Sequence, residues 1–155
     1  MPAMIWTPSM SVGIEALDMD HKMLFGLINQ LDSAIASGEA DEIVATIING
    51  LLDYTEYHFG REEAMMRACD YAALDSHVAK HQNIGAALRH LRDAYVGGFG
   101  QGIERQLHDL MRDWITGHIL DEDMKYAPAM KGRADELARV DEDHVRRLIS
   151  PSTPG

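Results

Sequence analysis

The chain has 155 residues, 46% of them hydrophobic and 25% charged, which suits one domain with its own core. Its formal net charge of -11 is spread along the sequence, so the clustered lysine and arginine that nucleic acid or an anionic membrane surface requires are missing. A single cysteine, Cys69, leaves no intramolecular disulfide and points to a reducing, cytoplasmic setting. Met1 to Met10 carries no Lys or Arg and does not read as a secretory signal, and no apolar run is long enough to predict a membrane span.

From Met1 to about Leu17 the chain is punctuated by Pro and Gly and is predicted to be an N-terminal arm. A first helix is predicted from Asp18, as its N-cap, to about Ala36. Leu24, Leu27, Ile28, Leu31 and Ile35 recur at helical spacing, and Ser37-Gly38 stops it. A second runs from near Asp41 to about Arg67 with Ile43, Ile47, Leu51, Tyr54 and His58 on one face, and breaks around Cys69 to Tyr71. A third covers about Ala73 to Tyr95, carrying Leu74, His77, His81, Ile84, Leu88 and Leu91, and ends in a turn holding Gly97, Gly98, Gly100 and Gly102. A fourth spans about Ile103 to Leu120, with Leu107, Leu110, Met111, Trp114 and His118 facing inward. Four amphipathic helices on short turns predict an all-α, antiparallel up-down-up-down four-helix bundle over residues 1–130.

Residues 131–155 form a separate tail. Leu137, Val140, His144 and Leu148 share a stripe that predicts one extra C-terminal helix over Ala134 to Ile149, docked on the bundle or on another protein chain. Asp141-Glu142-Asp143 and Arg146-Arg147 are expected to face solvent, and the end from Ser150 to Gly155 to be disordered.

Several titratable residues occupy the apolar stripes. His58 and Glu62 are four apart on one helix, as are His77 and His81 on the next; His118 lies on the stripe of Trp114, and His21 opens the first helix. Burying an imidazole or carboxylate is costly unless it is paired or metal-bound. One such residue is ordinarily a hydrogen-bonded core histidine. Two imidazoles at i, i+4 can converge on one ion, and adding His58 and Glu62 makes a metal site the better reading. Mixed imidazole and carboxylate ligation suits iron, manganese or zinc rather than calcium or magnesium. So large a ligand set exceeds one tetrahedral zinc and suits two octahedral ions sharing carboxylates. His90, His108 and His144 read as surface residues, Glu63 and Asp121 as facing solvent or supporting the ligands, and Cys69 as no ligand.

Four segments, in this order and at these separations, resemble the hemerythrin family and in particular its bacterial single-domain branch. They are Trp6 with Val12-Gly13-Ile14 and Asp18-Met19-Asp20-His21; His58-Phe59-Gly60-Arg61-Glu62-Glu63; His77-Val78-Ala79-Lys80-His81; and Trp114-Ile115-Thr116-Gly117-His118-Ile119-Leu120-Asp121-Glu122-Asp123. The resemblance covers about Trp6 to Ala129. It implies a non-haem pair of iron ions, oxo- or hydroxo-bridged, with His77, His81 and His118 on one iron and His21 and His58 on the other. Glu62 and Asp123 would bridge the pair, and the iron with two histidines would keep an open position. Phe59, Trp114, Ile115 and Ile119 would line an apolar dioxygen pocket. The implied function is reversible dioxygen binding as a carrier, store or sensor, not catalysis; the alternative is a di-iron enzyme acting on peroxide, nitric oxide or ferrous iron.

The assignment makes one structural demand. Asp123 is five residues past His118, about 140° around a regular α-helix, so the fourth helix must unwind or bend just after His118. One departure stands out: many relatives have Gln before the first ligand histidine, and this chain has Asp20, a carboxylate able to support a ligand from behind.

Overall fold

The computed structural model describes residues 3–149; the expected disorder of Ser150 to Gly155 lies outside them. The described residues form an all-helical bundle with no strand among them: α1 (Glu15–Ala36), α2 (Asp41–Ala68), α3 (Leu74–Val96), α4 (Ile103–Gly117), a π-helical turn (His118–Asp123), α5 (Met124–Met130) and α6 (Ala134–Ile149). Each of α1 to α4 packs on its successor and α1 closes the ring against α4, which is the predicted up-down-up-down order. No helix among the described residues is long and apolar enough to cross a membrane.

The turns follow local chemistry. At the end of α1, Gly38 takes φ of 69°, and its N–H and that of Glu39 return to the carbonyls of Ile35 and Ala34. A residue with a Cβ is strained in that left-handed conformation. Gly98 repeats the device after α3, with φ of 72°.

The first two helices depart from expectation. Helix α1 begins at Glu15, one turn before Asp18. Asp18 does not cap it; its carboxylate turns back to the arm, accepting from the Ser11 hydroxyl and, at 2.9 Å, from the Val12 N–H. The arm is fixed again where Met4 and the Asn29 side chain exchange two hydrogen bonds. On α2 the inward stripe is Val44, Ile48, Leu51, Thr55, His58 and Glu62, while Ile43 is 47% exposed. Leu51 and His58 are common to the expected and observed stripes; the difference is one residue at the start of the helix, where Val44 and Ile48 turn inward between α1 and α3.

The fourth helix does not stop at Leu120. Gly117, His118, Asp123 and Met124 all keep helical dihedrals, so α4, the π-turn and α5 make one rod. The demanded irregularity lies at His118–Asp123, where the wider π-turn absorbs one extra residue.

The apolar interior falls into two clusters. One gathers Leu24, Ile28, Leu51, Phe59, Ile84, Leu88, Leu107, Met111, Ile115 and Ile119, among others. The other gathers Val12, Ile14, Leu17, Met65, Met66, Cys69, Tyr126, Met130 and Leu137. Every bundle helix passes from one cluster to the other, and the titratable residues lie at the crossing. Cys69, in the second cluster, belongs to neither group of residues able to hold a metal ion.

Helix α6 matches the predicted span and docks on α2 of its own chain. Leu137 is fully buried in the second cluster. Asp135 and Glu136 in the first turn and Arg146 and Arg147 in the last complement the helix dipole. The stripe is narrower than expected, since Leu148 is 54% exposed. Glu142 and Arg146 pair on the surface at 3.2 Å. Asp141 does not face solvent; it is half-buried against Arg61.

Candidate metal centre

The residues that converge between the two clusters come from all four bundle helices: His21 from α1, His58 and Glu62 from α2, His77 and His81 from α3, and His118 and Asp123 from the two ends of the π-turn. All seven are buried, none more than 5% exposed. The π-turn returns Asp123 to the face of His118, and Asp123 Oδ1 lies 3.0 Å from His118 Nε2.

The two carboxylates sit between two sets of imidazoles. Glu62 Oε1 is 2.8 Å from His77 Nε2, 3.1 Å from His81 Nε2 and 4.0 Å from His118 Nε2. Its other oxygen, Oε2, is 3.2 Å from His58 Nε2 and 3.7 Å from His21 Nε2. Asp123 divides the same way: Oδ1 is 3.2 Å from His77 Nε2 and Oδ2 is 3.1 Å from His21 Nε2. Two overlapping groups able to hold a metal ion result, Glu62 with His77, His81 and His118, and His21, His58, Glu62 and Asp123. All five histidines turn Nε2 inward.

Partners behind the ring set several of these orientations. His58 Nδ1 donates to Asp20 Oδ2 at 2.8 Å, and His81 Nδ1 to Glu63 Oε2 at 2.9 Å. A carboxylate behind an imidazole fixes its tautomer, leaves the Nε2 lone pair free and raises its basicity. Tyr126, fully buried, donates to Glu62 Oε2 at 2.8 Å. Asp20 was expected to support a ligand beside His21 and instead stands behind His58; Glu63, left open between solvent and support, takes the supporting place; Tyr126 was missed. Also missed was His108, expected on the surface and found 2% exposed, its Nδ1 2.9 Å from Asp109 Oδ1. His108 is three and seven residues before Met111 and Ile115, both fully buried, so it shares their inward face on α4. His144 is half-buried, with Nε2 over Gly60, whereas His90 and Asp121 are exposed.

Four apolar side chains were expected around a pocket. Phe59 stacks on His81 with ring centroids 3.8 Å apart, and Trp114 stacks on His118 at 4.2 Å. The two aromatics meet edge-on at 5.5 Å. Ile115 and Ile119 are fully buried beside them in the same cluster, and Trp114 is half-buried.

The chemistry of the donors fits metal ions. His21 Nε2 and both oxygens of Asp123, which face the centre, are buried without a hydrogen-bond partner among the described residues. The Asp123 and His21 atoms are close to one another but not aligned as donor and acceptor. Buried groups are rarely left so, and lone pairs aimed at a common point are what a cation satisfies.

Protons take the place of that cation in the metal-free chain. Burial opposes charge on His21, but the carboxylates of Asp123 and Glu62, with oxygens 3.1 and 3.7 Å from Nε2, outweigh it and lift the imidazole from 6.5 to about 9. His77 is lifted to about 9 against the same burial cost, by the same two carboxylates. Burial and the neighbouring Glu62 charge push Asp123 up, yet His118, His21 and His77 bring it down to about 2. Glu62 is likewise held well below its ordinary value, the imidazoles outweighing burial.

The sign of the pH dependence follows. A raised histidine stabilises the fold fully below its unfolded value of 6.5, and that contribution disappears as pH rises through about 9. The lowered Asp123 acts oppositely, stabilising above 3.8 and losing its contribution as pH falls through about 2. The metal-free protein is therefore expected to melt at lower temperature at pH 9 than at pH 6.5. Bound metal must displace these protons, so its binding releases them and weakens as pH falls. Melting curves of metal-stripped protein at the two pH values check this; a flat or rising melting temperature would contradict it.

Comparison with known proteins agrees with the geometry. The family model described as the hemerythrin HHE cation binding domain matches residues 12–130. A bacteriohemerythrin of Pseudomonas aeruginosa is 29% identical over 139 residues, covering 90% of this chain and 89% of that protein. Myohemerythrin-1 of Phascolopsis gouldii is 31% identical over 122 residues, covering 79% of this chain and 90% of that protein. The crystal structure of wild-type hemerythrin superposes with a TM-score of 0.79 at 26% identity, over 84% of this chain and 100% of that one. With the matched segment holding all seven converging residues, the chain belongs to the hemerythrin family, whose members bind oxygen rather than turn over a substrate.

Proposed function

We propose that this protein binds dioxygen reversibly at a pair of iron ions, as a carrier, store or sensor, in a cytoplasmic setting. One observation carries the reading: Glu62 and Asp123 each present one oxygen to the His77 and His118 side and the other to the His21 side. Carboxylates so placed would hold two ions, one through each oxygen.

In this reading His77, His81 and His118 would hold one iron, His21 and His58 would hold the other, and Glu62 and Asp123 would be shared between them. The iron pair, when bound, supplies the electrons that dioxygen takes up reversibly. The chain supplies everything else. Asp20 and Glu63 keep the Nε2 lone pairs of His58 and His81 aimed inward. Tyr126 holds Glu62 in its spanning orientation through a hydrogen bond to Oε2. Phe59, Trp114, Ile115 and Ile119 close one side with apolar surface. Keeping water and protons out slows irreversible oxidation of the centre. Five neutral imidazoles and two carboxylates carry less negative charge than the four Glu and two His of ferritin-like centres. Weaker anionic ligation favours reversible binding over oxidation of a substrate.

Protein produced with ample iron is expected to hold two iron ions per chain. After anaerobic reduction, exposure to air should bring up a visible absorption that vacuum removes. Metal analysis and the spectrum through one such cycle test both. A stable ratio near one, zinc alone, or rapid consumption of a reductant in place of a long-lived oxygenated form would overturn the reading.

A further inference from the structure

Behind His58 a row of charges leads out of the metal centre to α6. Asp20 Oδ2 accepts from His58 Nδ1 at 2.8 Å. Asp20 Oδ1 accepts from the Tyr54 hydroxyl at 2.6 Å and from an Arg61 terminal nitrogen at 2.7 Å. Arg61 Nε then donates to Asp141 Oδ1 at 2.7 Å. Tyr57 steadies the guanidinium, its ring 4.7 Å away and its hydroxyl bonded to the remaining terminal nitrogen. Exposure rises along the row, from 1% at Asp20 to 12% at Arg61 and 20% at Asp141. Pairs this sheltered are screened far less by water and salt than exposed ones. Asp141 belongs to α6, which lies beyond the 12–130 segment that the family model matches.

The signs alternate, and that gives the row a direction of influence. A carboxylate that gives up electron density to a guanidinium is a weaker acceptor for its other donors. Arg61 therefore moderates the hold of Asp20 on His58. Asp141, by sharing the same guanidinium, partly relieves Asp20 of that pull. We propose that Asp141 and Arg61 are positioning residues of the metal centre: docked α6 sets, through Arg61 and Asp20, the hydrogen bond that orients His58. Its effect on iron rests on the di-iron reading above; the His58 hydrogen bond does not, because it is built from this chain alone. A residue beyond the segment that the family model matches thus tunes a residue inside it, without touching the metal.

Opposite signs make the test specific. Full-length Arg61→Gln and Asp141→Asn proteins are compared with Glu142→Gln, which removes only the exposed pair with Arg146. In metal-free protein, the Nδ1 proton resonance of His58 should move downfield in Arg61→Gln, where Asp20 becomes the stronger acceptor. It should move upfield in Asp141→Asn, where Arg61 turns wholly to Asp20. In iron-loaded protein the midpoint potential should fall in Arg61→Gln, which leaves negative charge uncompensated, and rise in Asp141→Asn. Glu142→Gln should move neither. Loosening of α6 as a merely structural effect would shift both variants the same way, and such a result, or an unmoved His58 resonance in both, overturns the proposal. Arg61→Lys, which keeps the charge but loses the two-pronged geometry, serves if Arg61→Gln does not fold; its His58 resonance should shift less than the Asp141→Asn change, and an equal or larger upfield shift counts against the proposal. An iron content other than two per chain speaks against the di-iron reading, while the resonance comparison still judges this inference.

Discussion

Glu62→Ala is expected to empty the centre. Glu62 is fully buried and is the one residue common to both groups of converging ligands. Its removal takes an oxygen from each side of the site and leaves five buried imidazoles facing Asp123 alone. It also strips Tyr126 of its acceptor, stranding a buried hydroxyl. Iron content should fall from two per chain toward zero, and the oxygen-dependent absorption should vanish. His90→Ala, at an exposed position on α3, should change neither. His108→Ala is no equivalent control, because His108 is buried and its loss affects packing. Metal analysis together with the visible spectrum before and after air exposure decides the matter. A normal spectrum in Glu62→Ala would remove Glu62 from the bridging role.

Phe59→Ala should act on stability and on the centre at once. The ring is 6% exposed, stacked on His81 and edge-on to Trp114. Truncating a buried Phe costs about 3–5 kcal/mol, part of it the cavity left behind. For a chain of this size that corresponds to a fall of roughly 6–20 °C in melting temperature, at about 2–4 °C per kcal/mol. No proposed ligand is removed, so iron content should stay at two. The new space lies against His81 and admits water to the centre, so the oxygenated spectrum should decay several-fold faster. Calorimetry and the decay of that absorption in air separate the two effects. A lowered melting temperature with unchanged decay would confine Phe59 to packing.

The pairs His58/Glu62 and His77/His81 were legible because helical periodicity is a local property: residues four apart share a face whatever the helix packs against. The apolar stripes of α1, α3 and α4 were readable for the same reason. On α2 the stripe held at Leu51 and His58 and ran one residue early at its first turns, where Ile43 is exposed and Val44 and Ile48 turn inward, because near a helix end the inward face is set by what the helix packs against as well as by its own period. Asp123 illustrates the boundary between the two kinds of information. Resemblance supplied the residue, and geometry supplied the demand that the helix deform. The π-turn at His118–Asp123 meets that demand.

By itself, then, the sequence determined four amphipathic helices, an extra one over Ala134–Ile149, and a set of histidines and carboxylates on their inner faces. Each of these follows from spacing along one helix. The tertiary structure alone decided that Glu62 and Asp123 divide their oxygens between two sets of imidazoles, and that Tyr126 bonds Glu62 from 64 residues away. It also decided that Asp141 meets Arg61 across 80 residues, joining the tail to Asp20 and His58. Such contacts depend on which face of one helix meets which face of another, and at what height. That is settled by packing the whole apolar interior at once, where Leu137 seats α6 against the second cluster and so brings Asp141 to Arg61.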